Sequence, residues 1–140
     1  MQATIREMTL DDYDQVTALW EASEGVGLSS NDSRDGIAAY LGRNAGLSFV
    51  AVEAGRTVAA VLCGHDGRRG FLHHLAVAAS HRRRGLGRAL VRRCLEALAR
   101  AGIRKCHTFA FAPNVEARNF YTRIGWQLRE DLVVMSRQVP

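Results

Sequence analysis

The chain has 140 residues, 47% of them hydrophobic and 24% charged, with 2 prolines and a formal net charge of +5. That length suits one domain and leaves no room for two full cores, while the composition excludes intrinsic disorder. The charge is unevenly placed: residues 1–67 hold 4 Arg against 10 acidic side chains, residues 68–104 hold 10 Arg against Glu96 alone, and residues 105–140 hold 5 basic against 3 acidic groups. A basic block of this kind concentrates anions, so it points to nucleic acid, anionic lipid or a phosphorylated small molecule. Cys63, Cys94 and Cys106 have neither CxxC nor paired spacing and read as small buried hydrophobes in a reducing compartment. The first residues lack an apolar h-region, and no apolar run approaches the ~20 residues of a membrane span, so a cytoplasmic protein that engages no membrane is expected.

No repeat or linker interrupts the chain, and residues 1–140 read as one domain. Residues 4–8 suggest a strand. Thr9 offers an N-cap with Asp12 three residues on, opening a helix over 11–22 whose buried face holds Tyr13, Val16, Leu19 and Trp20. Residues 23–33 are a Gly/Ser-rich loop, followed by a shorter helix over 34–43 with Ile37, Tyr40 and Leu41 together. Residues 47–53 and 57–64 are apolar runs joined by Ala54-Gly55-Arg56, a hairpin signal, and 70–77 continues the meander as a third strand.

Residues 85–101 form a strongly amphipathic helix, with Leu86, Leu90, Cys94 and Leu98 on one side and Arg88, Arg92, Arg93, Glu96 and Arg100 on the other. That polar side reads as solvated. Residues 104–111 suggest a strand, Asn114 caps a helix running to Ile124, and 126–129 with 132–139 read as a closing hairpin. The expected architecture is α+β: a central, mostly antiparallel twisted sheet of six to seven strands with helices on both faces.

The turn between strand 70–77 and helix 85–101 carries the chemistry. It reads Arg82-Arg83-Arg84-Gly85-Leu86-Gly87-Arg88, and a glycine-rich turn at a helix N-terminus presents unpaired N–H groups and the positive dipole end, which favour phosphate. A Walker A loop is excluded because no Lys-Ser or Lys-Thr follows. A dinucleotide fingerprint fails as well, because Leu90 stands where its third glycine is required.

What remains is R-x-x-G-x-G preceded by Leu75-Ala76-Val77, and with the later block Asn114-x-x-Ala117-x-x-x-Tyr121-x-x-x-Gly125-Trp126 it resembles the GNAT family of N-acetyltransferases. The resemblance implies that backbone amides from Arg83 to Arg88, with Gly85, Leu86 and Gly87, hold the pyrophosphate of acetyl-coenzyme A, and that some of Arg82, Arg83, Arg84 and Arg88 reach its phosphates. It also implies that amides of Leu75, Ala76 and Val77 polarise the thioester carbonyl, that Asn114 bonds the pantetheine arm as well as capping its helix, and that Tyr121 protonates the leaving sulfur. Residues 20–33, Trp20 and Leu28 among them, are implied to line an acceptor pocket. Glu21, Glu24 and Asp32 there suggest a cationic acceptor, or simply solvated loop charge.

An acceptor amine arrives protonated and needs a base or a water chain. Alternation along strand 70–77 points Phe71, His73, Leu75 and Val77 one way and Leu72, His74 and Ala76 the other, unless a bulge intervenes. His73 sits where the family carries a Glu or a His and is the candidate base; a pocket-lining histidine is its other reading, as a core aromatic is for Tyr121. One departure separates the chain from ribosomal-protein N-terminal acetyltransferases, which it resembles in the Asn114 block: Phe109 stands where they carry a Glu. His65, His81 and His107 show no metal spacing.

The expected activity is therefore transfer of an acetyl group from acetyl-CoA to a primary amine of a small molecule or peptide within a ternary complex, with no metal and no nucleic-acid partner. A homodimer is open to such a domain. The alternatives are an acyl-CoA-binding sensor without catalysis and a nucleic-acid-binding module; the latter lacks interleaved aromatics beside its arginines.

Overall fold

The computed structural model describes residues 2–140, so only Met1 of the N-terminal reading lies outside it. The described chain forms two compact units, one ending at Phe109 and one running Ala110–Pro140. The first holds strands β1 (Thr4–Glu7), β2 (Phe49–Glu53), β3 (Arg56–His65), β4 (Gly70–Val77) and β5 (Cys106–Thr108), with helices α1 (Tyr13–Glu21), α2 (Arg34–Arg43) and α3 (Leu86–Arg100). The strands form one sheet in the order β1-β2-β3-β4-β5, antiparallel except for the parallel β4–β5 pair. The second unit holds α4 (Val115–Arg123).

Helix entry follows the local sequence. Thr9 opens a short 3-10 turn over Leu10–Asp12 with the expected reciprocal capping bonds, and α1 continues from it. Asp12 also takes a two-pronged bond from Arg6 at 2.9 and 2.8 Å, which ties β1 to the start of α1 and holds this buried carboxyl below the usual carboxylate range. Ser33 caps α2, its hydroxyl accepting from the Gly36 N–H. On one face of the sheet, Val16, Leu19 and Trp20 of α1 and Ile37 of α2 pack with Val50, Ala60, Leu62 and Ala76. On the other, α3 buries Leu90, Val91, Cys94 and Leu98. Arg93 departs from the solvated role expected of it, lying 5.0 Å over the Phe49 ring.

The sheet has five strands, not six to seven. No ladder pairs residues 126–140 among the described residues, and Leu132, Val133, Val134 and Met135 are exposed. A two-stranded ribbon without a third strand or a helix on its apolar face is marginal, so β-prone composition alone does not make one. The bidentate Arg129–Asp131 pair instead closes a local bend. β5 is likewise three residues long where eight were expected: its pairing with β4 stops at Leu72 and Thr108, just before the β4 register shifts.

The end of α2 lies close over Gly64 of β3. A Cβ there would stand 2.5 Å from the Tyr40 hydroxyl and 2.7 Å from Asn44, both at the end of α2. Asn44 cannot withdraw freely, since its side chain donates to the Tyr40 carbonyl and accepts from the His65 N–H. Gly64→Ala is expected to cost about 1–3 kcal/mol through overpacking, read as a lower denaturation midpoint with an unchanged slope. An unchanged midpoint would show that α2 yields.

Candidate active site

β4 is interrupted by a bulge. Ala60 faces Ala76 and Leu62 faces His73, so three residues of β4 span what two span on β3, and His74 takes the left-handed conformation at φ +56°. The extra residue changes the phase of the side chains. His73 and Ala76 therefore share the α1/α2 face with Leu62 and Ala60. His74 comes to the same face, its ring 5.0 Å from that of Trp20. The expected opposition of His73 and His74 is thus corrected: strict alternation holds only up to the bulge.

Two neighbours hold the bulge. The Trp20 indole N–H donates to the His74 carbonyl at 2.8 Å, and His74 Nε2 lies 2.9 Å from Asp32 Oδ1. Asp32 is fixed in turn, its Oδ2 accepting from the Ser29 N–H and its carbonyl accepting from the Tyr13 hydroxyl. Trp20 is 1% exposed, so it shapes this region through the bulge rather than as an open wall, whereas Leu28 is exposed on the loop. Sequence reasoning left Asp32 among three loop acids; its capping-box spacing from Ser29 signalled a fixed carboxylate, but its pairing with His74 has no local signature.

His73 sits beside Phe71, Tyr40 and Phe109, and burial, with His74 adding to it, pushes its imidazole below the ordinary value of 6.5. Pairing of β4 with β5 stops at Leu72 and Thr108, where the Thr108 hydroxyl donates to the Leu72 carbonyl. Beyond that point Leu75, Ala76 and Val77 lie on a stretch of β4 whose outer edge has no strand partner among the described residues.

The turn after β4 leads directly into α3. Gly85 is its N-cap at φ +80°, with open space where a Cβ would stand and no side-chain cap, so the first amides of α3 at Leu86, Gly87 and Arg88 have no capping partner. Arg83 is also left-handed, at φ +64°. Arg82, Arg83, Arg84 and Arg88 are exposed, and Arg82 Nε donates to the Val77 carbonyl at 3.1 Å, closing the end of β4. Just before the turn, His81 Nδ1 meets the Ser80 hydroxyl at 2.7 Å and its Nε2 pairs with Glu53 of β2, anchoring the segment to the hairpin. No local pattern announces this pair, whose members stand on separate elements.

In the second unit, Asn114 caps α4 by accepting from the Ala117 N–H at 3.1 Å. Tyr121 is half-buried, its ring 5.1 Å from Phe120 and 5.0 Å from Trp126. Among the described residues no group of three His, Cys, Asp or Glu could hold a metal ion, and no helix is long and apolar enough to cross a membrane.

A model described as the Acetyltransferase (GNAT) family matches residues 13–126. Among curated proteins no sequence matches. The fold is similar to that of Ard1 from Thermoplasma volcanium, with a TM-score of 0.81 and 21% identity over 92% of this chain and 85% of that one. An aminoglycoside antibiotic 6′-N-acetyltransferase from Acinetobacter haemolyticus gives 0.79 and 18% over 98% and 99%. The PaiA N-acetyltransferase of Thermoplasma acidophilum, solved in complex with coenzyme A, gives 0.77 and 14% over 93% and 92%.

The lowered imidazole value makes a sign-definite prediction. In the folded chain His73 stays neutral to a lower pH than in the unfolded chain, so its contribution to stability is present above 6.5 and is lost as pH falls through the folded value. A histidine NMR titration, assigned by comparison with His73→Gln, is expected to give His73 a midpoint below 6.5. A midpoint at or above that value would contradict the burial argument.

Proposed function

The chain belongs to the acetyltransferase (GNAT) family and is an acyltransferase, and we propose that it moves an acetyl group from acetyl-CoA to a primary amine by direct transfer in a ternary complex. The observation that carries this is the turn at the head of α3: a left-handed Gly85, amides of Leu86, Gly87 and Arg88 without a cap, and exposed Arg82, Arg83, Arg84 and Arg88 around them. Such a turn fits a pyrophosphate, since N–H donors, dipole and cations all favour the same anion. Basic charge concentrated on one short turn supports a small polyanion over nucleic acid. A family model spanning both units supports reading the chain as one acetyltransferase domain, and the three free thiols support a reducing cytoplasm.

Acetyl-CoA supplies an activated thioester. The remaining work falls to the chain. His73, neutral at physiological pH, takes the proton that the acceptor ammonium must lose before its lone pair attacks the acetyl carbon. Backbone N–H groups along Leu75–Val77, on the free edge of β4, polarise the carbonyl as charge builds on its oxygen. The new C–N bond forms, the C–S bond breaks, and Tyr121 gives a proton to the departing sulfur. Asn114 bonds the pantetheine arm in addition to capping α4. Of the acceptor residues implied by resemblance, Leu28 is the surface contact and Trp20 acts through the bulge.

Two variants and one screen test the reading. Gly87→Glu sets a carboxylate among the phosphate donors and is expected to abolish acetyl-CoA binding by calorimetry while circular dichroism stays unchanged; retained affinity would remove the phosphate assignment. Tyr121→Phe is expected to slow turnover by roughly 10²-fold with little change in KM for acetyl-CoA, and an unaltered kcat would return it to a packing role. Amine-dependent thiol release in a screen of primary amines separates an enzyme from an acyl-CoA sensor, which would bind acetyl-CoA and release nothing.

A further inference from the structure

The sheet face that carries both bulge histidines continues sideways as a row of rings. Tyr40 meets His73 edge-on with centroids 6.2 Å apart, and Phe71 stacks beside His73 at 6.4 Å and 10°. β5 adds His107, 5.8 Å from Phe71, and Phe109, just past the end of β5, lies 6.1 Å from Phe71 and 6.5 Å from His73. Register explains the row: Phe71 pairs with Gly64 and His107, and His73 pairs with Leu62, so all of these side chains rise from one face. Gly64 keeps that face low enough for Tyr40 to lie across it. Phe71, His73 and His107 are half-buried and Phe109 is 61% exposed, which makes this an aromatic edge open beside the candidate base rather than a sealed core.

The negative charge nearby is already engaged. The charged groups acting on His73 are His74 and Asp32. Each Asp32 oxygen already has a partner, His74 Nε2 on one and the Ser29 N–H on the other, and its side chain is only 12% exposed. Glu21 and Glu24 stand in solvent and make no bond to the row. A polycationic acceptor would therefore find rings here without a free carboxylate to pair its further ammonium groups.

We propose that the acceptor is an arylalkylamine: an aromatic ring carrying a primary amine on a one- or two-carbon arm, the ring stacked against Phe71 and Phe109 and the amine directed at His73. This rests on the acetyltransferase reading. Aromatic pairs prefer centroids about 4.5–7 Å apart and contribute about 0.5–1.5 kcal/mol beyond their buried area. A guest ring seated on Phe71 and Phe109 lies one ring spacing from His73, the gap a short alkyl arm spans.

The test compares kcat/KM for 2-phenylethylamine, 2-cyclohexylethylamine, n-hexylamine, spermidine and kanamycin, with acetyl-CoA saturating. The phenyl compound is expected to exceed its cyclohexyl analogue, which matches it in apolar size but has no π face, by about tenfold. Phe109→Leu and Phe71→Leu keep apolar bulk and are expected to erase that ratio chiefly through KM for the amine. Phe109 is exposed enough that its variant is expected to fold. Equal rates for phenyl and cyclohexyl amines, a ratio unchanged in both variants, or preference for spermidine or kanamycin would overturn the proposal and leave the acetyltransferase reading intact. Acetyl-CoA binding without acetylation of any of the five amines would likewise overturn the proposal, whereas failure to bind acetyl-CoA at all would overturn the reading on which it rests.

Discussion

The bulge at His74 is the constraint on which the candidate site depends. A non-glycine residue held at φ +56° costs about 1–2 kcal/mol. That strain persists because two buried or half-buried partners fix the segment: the Trp20 indole on the His74 carbonyl and the Asp32 carboxylate on its ring. Bonds of this kind contribute about 1 kcal/mol each when neutral and more when charged, enough to offset the strain. The extra residue turns His73 onto the helix-covered face, and the β4–β5 ladder ends just before it, at Leu72. One inserted residue thus sets both the orientation of the candidate base and the free backbone edge beside it.

The basic block divides by location. Arg82 spends its Nε on the end of β4, and Arg93 covers Phe49, so neither is a simple surface charge. Arg83, Arg84 and Arg88 remain exposed about the head of α3. Two left-handed residues, Arg83 and Gly85, bend the chain sharply enough to bring those charges and the uncapped amides into one short segment. The Glu53–His81 pair anchors the approach to that bend from the far side of the β2–β3 hairpin. Positive side chains and uncapped backbone donors therefore sit on the same few residues.

The fold was legible wherever local chemistry dictated it. The Thr9 and Ser33 caps, the β2–β3 hairpin, the limits of β4 and the amphipathic α3 follow from capping, turn and periodicity rules, and the left-handed turn at the head of α3 from Gly85. What escaped depends on pairing across sequence distance. No local rule announces that β4 gains a residue against β3, that Asp32 will meet His74 or that Glu53 will meet His81. The Leu132–Met135 run has the composition of a strand, yet strandedness is a property of a ladder. Phe109 illustrates the point within the site: in sequence it is a missing glutamate, and only the folded chain brings it beside Phe71 and His73.

The three cysteines carry a chemical consequence of their own. Cys63 and Cys94 are fully buried, and burial pushes the Cys106 thiol up to about 12. Nucleophilic sulfur is thiolate, so the Cys94 and Cys106 thiols, both raised above the ordinary value, and Cys63, sealed from solvent, offer electrophiles little to capture. Alkylating reagents therefore reach Cys63 and Cys94 only when the fold opens.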